Sequence, residues 1–160
     1  MPDIAVCLWF DGQAEEAAEL YTSIFPNSRI LSTIPYPEGA PGPAGSAMLV
    51  TFEIDGLKVE ALNGGPEFTF SEAVSLEVTV DTQEEIDRYW DALLADGGQP
   101  SQCGWLKDKF GMSWQITPRG LEQMAQDPER YQRAMAALMG MVKIDIAALE
   151  AAADGAPQPA

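Results

Sequence analysis

Apolar residues recur along this chain with two periods, and the switches between them lay out the elements. Asp3 to Phe10 (DIAVCLWF) is apolar at almost every position, the pattern of a strand covered on both faces. After DGQ the period lengthens: in AEEAAELYTSIF, Ala17, Leu20, Tyr21 and Ile24 recur at helical spacing, and Pro26-Asn27 ends the helix. Ser28 to Pro35 returns to a strand pattern. Tyr36 to Gly45 (YPEGAPGPAG) is too rich in Pro and Gly for regular structure, which predicts an exposed, mobile loop beside an opening.

Ala47–Ile54 and Leu57–Leu62 flank Asp55-Gly56, a hairpin signal because both turn positions need positive φ. In the next strand-like run Val74, Leu76, Val78 and Val80 alternate with Ser75, Glu77 and Thr79, so the valine and leucine row needs a helix to cover it. That helix is predicted over Gln83–Ala95, with Gly97-Gly98 at its end. CGWLKDKFGMSWQI reads as a strand, a turn at Asp108–Gly111 and a closing strand. Met112, Trp114 and Ile116 form the apolar row of that strand, with Ser113, Gln115 and Thr117 on the other side. Helices follow over Pro128–Met139 and Ile144–Ala153, and the last six residues, GAPQPA, read as a frayed tail.

The order strand, helix, strands therefore occurs twice. Glu15-Glu16 and Glu84-Glu85 open the two helices, where acidic groups favour the positive end of the helix dipole. Gly56-Leu57-Lys58-Val59-Glu60 and Gly111-Met112-Ser113-Trp114-Gln115 each place a long polar residue four positions after a turn glycine.

Composition narrows the chemistry. The 160 residues, 46% apolar, can build one domain or two small modules. Lys and Arg number 9 against 25 Asp and Glu, and a net charge of −16 repels phosphate backbones and anionic lipid surfaces, so neither nucleic acid nor membrane is an expected partner. No apolar run approaches the roughly 20 residues that span a bilayer, and MPDIAVCLWF lacks the pattern of a secretion signal, which predicts a cytoplasmic protein. Cys7 and Cys103 lack the spacing of a disulfide framework and are expected as free thiols. There is no histidine, which excludes serine-histidine triads, histidine-activated cysteines and HExxH zinc sites. No GxxxxGK[ST] or strand-linked GxGxxG occurs, so phosphate-cradling nucleotide loops are excluded and a Rossmann-type methyltransferase is disfavoured.

LWFDGQAEEA, ALNGGPEF and CGWLKDKFGMSWQITP, which together span Leu8 to Pro118, resemble the PhnB-like branch of the vicinal oxygen chelate superfamily. That superfamily includes glyoxalase I, extradiol dioxygenases and bleomycin resistance proteins, and the branch is often labelled demethylubiquinone 3-methyltransferase-like. The resemblance implies an α+β fold of two paired βαβββ modules forming a curved mixed sheet around a cup, with C-terminal helices and a homodimer. In that scheme residues 1–154 form a single domain, with modules at about 1–65 and 72–118 and helices at about 121–153; the tail is 155–160.

The resemblance also locates the positions at which metal-dependent members carry ligands, one near the start and one in the last strand of each half. Val6, Glu60, Ser75 and Gln115 stand there, and a shift of two residues in register would bring in Leu8 and Glu77. Only Glu60 keeps a charged ligand in the first assignment, and one or two carboxylates with an amide make a weak divalent site, so neither a catalytic metal nor another cofactor is expected. A cup lined by Val6 and Leu8 on one wall and by Ser75, Glu77 and Gln115 on the other would suit a small molecule. Two readings stay open: an enzyme in which Glu60 or Glu77 serves as general base, and a binder that sequesters a cationic or aromatic compound without chemistry.

Overall fold

The computed structural model describes residues 2–156, and the chain falls into two compact units, Met1–Phe70 and Ser71–Ala160. Unit one runs β1 (Val6–Phe10), α1 (Ala14–Ile24), β2 (Arg29–Pro35), β3 (Ala47–Ile54) and β4 (Leu57–Asn63). The sheet order is β1-β4-β3-β2, with β1 parallel to β4 and the other pairs antiparallel. The Asp55-Gly56 turn joins β3 to β4 with φ of 43° and 87°, as the hairpin requires. β1 begins at Val6 rather than Asp3, because its ladder to β4 starts with the Val6–Val59 pair; Asp3 instead forms an ion pair with Lys58.

α1 packs on one face of this sheet through Ala14, Ala17, Ala18 and Tyr21, all fully buried, and the Tyr21 ring lies 6.2 Å from that of Phe52. Alanines permit that close approach, whereas the expected contacts Leu20 and Ile24 are only half-buried. The start of α1 is satisfied from the end of β4. Asn63 Oδ1 accepts from Ala14 N–H at 2.9 Å, while its amide donates to the Ala47 carbonyl at 2.9 Å.

Unit two repeats the pattern with β5 (Ser75–Val80), α2 (Gln83–Leu94), β6 (Gln99–Pro100), β7 (Trp105–Lys107) and β8 (Ser113–Pro118). Its order, β5-β8-β7-β6 with β5 parallel to β8, is the same permutation as in unit one. The fold is α+β with two four-stranded mixed sheets, in accord with the paired-module class. Val74 lies outside β5 and is 62% exposed, so the apolar row that joins the sheet is Leu76, Val78 and Val80. α2 opens with a reciprocal capping box: Glu85 N–H donates to Thr82 Oγ1 at 3.2 Å, and Thr82 N–H to Glu85 Oε2 at 3.1 Å. Its buried face is Ile86, Tyr89, Trp90 and Leu93.

The turn between β7 and β8 is organised by a carboxylate. Asp108, 3% exposed, accepts from Phe110 N–H at 2.9 Å and Met112 N–H at 3.0 Å through Oδ1, and from Trp114 Nε1–H at 2.9 Å through Oδ2. Trp114 itself is 1% exposed.

Three helices complete unit two: α3 (Gly120–Met124), which the apolar pattern did not predict, α4 (Pro128–Leu138) and α5 (Ile146–Ala153). Asp127 caps α4 with Pro128 in the first turn, and Asp145 caps α5. Gln83 ties α2 to this part of the chain, donating to the Ile144 carbonyl and accepting from Ile146 N–H. Of the segment expected to fray, Gly155 and Ala156 are tied to α5: Gly155, φ 83°, donates to Ala152 and Ala156 to Ala151, a Schellman closure. Residues 157–160 lie outside the described residues. Among the described residues no helix is long and apolar enough to cross a membrane.

Candidate functional site

In unit one the register decides which side chains can share a site with Glu60. Cys7 pairs with Glu60 and Trp9 with Leu62, whereas Val6 pairs with Val59 and Leu8 with Ala61. Val59 in turn pairs with Phe52, whose ring meets α1. Val6 and Leu8 therefore belong to the core face, where Leu8 is 3% exposed, and the expectation that they line a surface with Glu60 is corrected. The slip is one residue, and in a strand one residue exchanges the faces. Glu60 has the Cys7 thiol beside it on the neighbouring strand, and its carboxylate lies 4.0 Å from Lys58 Nζ. Partial burial, with Glu60's negative charge adding to it, pushes the Cys7 thiol up from the ordinary value.

In unit two the expected residues do converge. Ser75 pairs with Ser113, Glu77 with Gln115 and Thr79 with Thr117 along the parallel ladder, so all occupy one face. Gln115 Nε2–H donates to Ser75 Oγ at 2.9 Å, and the Thr117 hydroxyl donates to Glu77 Oε1 at 2.7 Å. Trp105, opposite Gln115 on β7, extends the same face. Over it lies a pocket of about 390 Å³. Its sheet wall is Trp105, Gln115 and Thr117; Leu121 and Glu122 of α3 and Tyr131, Met135 and Leu138 of α4 form the other, with Cys103 and Met139 completing it. The resemblance implied helices from about residue 121, but the apolar pattern did not mark α3, and its role as a wall was not visible in the sequence.

A larger pocket, about 540 Å³, lies within unit one at the ends of β1 and β4. Asp11, Glu15, Tyr36 and Asn63 line it together with the Pro41–Pro43 and Gly64–Pro66 segments, so the Pro/Gly-rich stretch does border an opening. None of the expected site residues is among its lining residues.

The residues do not fit the divalent metal centre that the superfamily uses. Within each unit the position across from the last-strand residue is Cys7 for Glu60 and Glu77 for Gln115. One thiol with a single carboxylate in the first unit, and one carboxylate with an amide already donating to Ser75 in the second, make a poor donor set for a divalent ion. Among the described residues no group of three or more His, Cys, Asp or Glu converges.

Two units of identical strand permutation, each with its helix between first and second strand, define the class: the paired-module fold of the vicinal oxygen chelate superfamily. The family model for 3-demethylubiquinone-9 3-methyltransferase matches residues 2–117. The chain belongs to that family, the PhnB-like branch of the superfamily. It is 38% identical to the PhnB protein of Bacillus cereus, a match covering 73% of this chain and 99% of that one with a TM-score of 0.66. Two more distant structures share the fold. A Pseudomonas aeruginosa protein is 21% identical over 74% of this chain and 98% of its own, TM-score 0.60. The fosfomycin resistance protein FosX of Listeria monocytogenes, in a complex with Mn(II) and 1S,2S-dihydroxypropylphosphonic acid, is 16% identical over 78% and 98%, TM-score 0.57. No curated protein matches the chain.

Proposed function

We propose that the chain binds a small aromatic molecule bearing hydrogen-bond donors, a phenol or an amine, on the Gln115 face of its second sheet. The observation that carries this reading is the 390 Å³ pocket in which two pre-oriented polar groups face an apolar and aromatic wall. Thr117 spends its hydroxyl proton on Glu77, and Gln115 spends one amide proton on Ser75. What remains for a ligand is chiefly acceptor oxygen, Thr117 Oγ1 and Gln115 Oε1, with Glu122 adding negative charge at the wall. Such a lining selects donors and disfavours anions, which suits the sequestering binder of a cationic or aromatic compound. The net charge of −16 would speed the encounter with a cation.

Calorimetric titration with phenol and benzylamine tests the reading. Gln115→Leu and Thr117→Val should each weaken saturable binding about 5- to 10-fold, the worth of one hydrogen bond. Benzylamine affinity should also fall with added salt. Binding unaffected by both substitutions would overturn the assignment.

A catalytic version uses the same pocket, favoured by the Thr117–Glu77 bond: Glu77 would act as base through the Thr117 hydroxyl, with Glu60 the other candidate carboxylate. Loss of turnover with retained affinity in Glu77→Gln would support it. The methyl transfer in the family's description requires S-adenosylmethionine, and calorimetric heat with that cofactor would favour methyl transfer over the binder. The resemblance further supports a homodimer, for which light scattering should give twice 17.3 kDa.

A further inference from the structure

The rim of the second-unit pocket gathers sulfur in a way that the proposed organic ligand does not require. Cys103 Sγ lies 3.8 Å from Met139 Sδ. Met139 continues the last turn of α4, its N–H donating to the Met135 carbonyl at 3.1 Å, so the Met135 and Met139 side chains stand one above the other on one helix face. All three residues line the same cavity. Cys103 itself is fixed from behind: its N–H donates to the Met141 carbonyl and that of Gly104 to Val142, each at 2.8 Å, which ties the loop to the chain just beyond α4.

We propose that Cys103, Met135 and Met139 form a binding site for a soft monovalent metal ion, Cu(I) or its analogue Ag(I). Thiolate and thioether sulfurs prefer such ions to the hard divalent cations that the carboxylates would take. The spacing suits the chemistry: with metal–sulfur bonds of about 2.3 Å, two sulfurs 3.8 Å apart subtend about 110° at the ion, between tetrahedral and trigonal angles. The cavity gives the ion a path from solvent, and Glu122 on its wall adds favourable negative charge. Binding transfers one proton, from the Cys103 thiol to solvent, and no electrons. The metal site shares this cavity with the proposed phenol or amine but uses the sulfur side chains rather than Gln115 and Thr117, so loss of metal binding with organic binding retained would count against the metal site alone.

Anaerobic titration with Cu(I) against a colorimetric Cu(I) chelator tests the site. In a Cys7→Ser background one equivalent should bind. Cys103→Ser should abolish binding. Met139→Leu and Met135→Leu, which keep the thiol and the apolar volume, should each weaken it about tenfold or more, since even outer-shell changes at metal sites cost 10- to 100-fold. Retained folding in each variant is checked by circular dichroism. Affinity unchanged in both methionine variants, or no capture from the chelator at all, would refute the three-sulfur site.

Discussion

Asp108 offers the sharpest test of how the second sheet is held. Its carboxylate accepts three hydrogen bonds inside one turn, and two of the donors, Met112 N–H and Trp114 Nε1–H, sit on residues 1% exposed. Hydrogen bonds to a charged group contribute about 1.5–3 kcal/mol each, and a buried donor stripped of its acceptor costs about 1–3 kcal/mol. Counting only the two buried donors, Asp108→Ala should cost about 2–6 kcal/mol, a large share of the roughly 5–15 kcal/mol by which proteins are stable. Asp108→Asn keeps one acceptor oxygen but turns an NH2 toward a donor, and should cost about 1–3 kcal/mol. Urea unfolding followed by tryptophan fluorescence and circular dichroism measures both. The discriminating experiment is the cycle with Trp114→Phe, which removes the indole donor: Asp108→Asn should then cost less, with a coupling of about 1 kcal/mol or more. An Asp108→Ala protein within about 0.5 kcal/mol of the parent, or no coupling to Trp114, would show that the carboxylate does not organise this hairpin.

Two further outcomes follow from charges elsewhere. Glu85 is held below its ordinary value of 4.5, first by the Asp81 N–H bond and then by those from Thr82. A depressed folded value means its stabilisation is present above about pH 4.5 and is lost as pH falls through the lower, folded value, so Glu85→Ala should flatten the fall in urea midpoint below pH 4.5. In a Cys103→Ser background, Cys7 should react with iodoacetamide more slowly than free cysteine at pH 8, because burial and then Glu60 push its thiol up. Glu60→Gln should quicken the reaction, and an unchanged rate would remove Glu60 as a cause.

Much of the architecture was legible because its causes are local. The Asp55-Gly56 turn needs only its own two residues, the strand alternation Leu76-Glu77-Val78-Thr79 needs only period two, and the helix over residues 83–94 carries both its apolar face and its Thr82–Glu85 cap within the segment. The repeated glycine-to-polar spacing places Glu60 and Gln115 each in the last strand of its unit, paired with the first strand. The polar row Ser75, Glu77, Gln115 and Thr117 followed from alternation, since in that unit only one face is apolar.

What remained hidden depends on pairing between distant segments. β1 is apolar on both faces, so its alternation cannot say which face meets Glu60; only the parallel ladder, joining residues 53 apart, puts Cys7 there and turns Val6 and Leu8 into the core. Asn63 as the cap of α1 and α3 with α4 as the pocket wall are likewise contacts that no local pattern encodes. The sequence by itself determined most of the elements, the duplication, the family and the polar row of the second sheet, because propensity and periodicity act over a few residues. Tertiary structure alone decided the face of β1, the carboxylate seat of Trp114 and the cavity that Gln115 shares with Tyr131, Cys103, Met135 and Met139, because register and helix docking are set by burial across the chain.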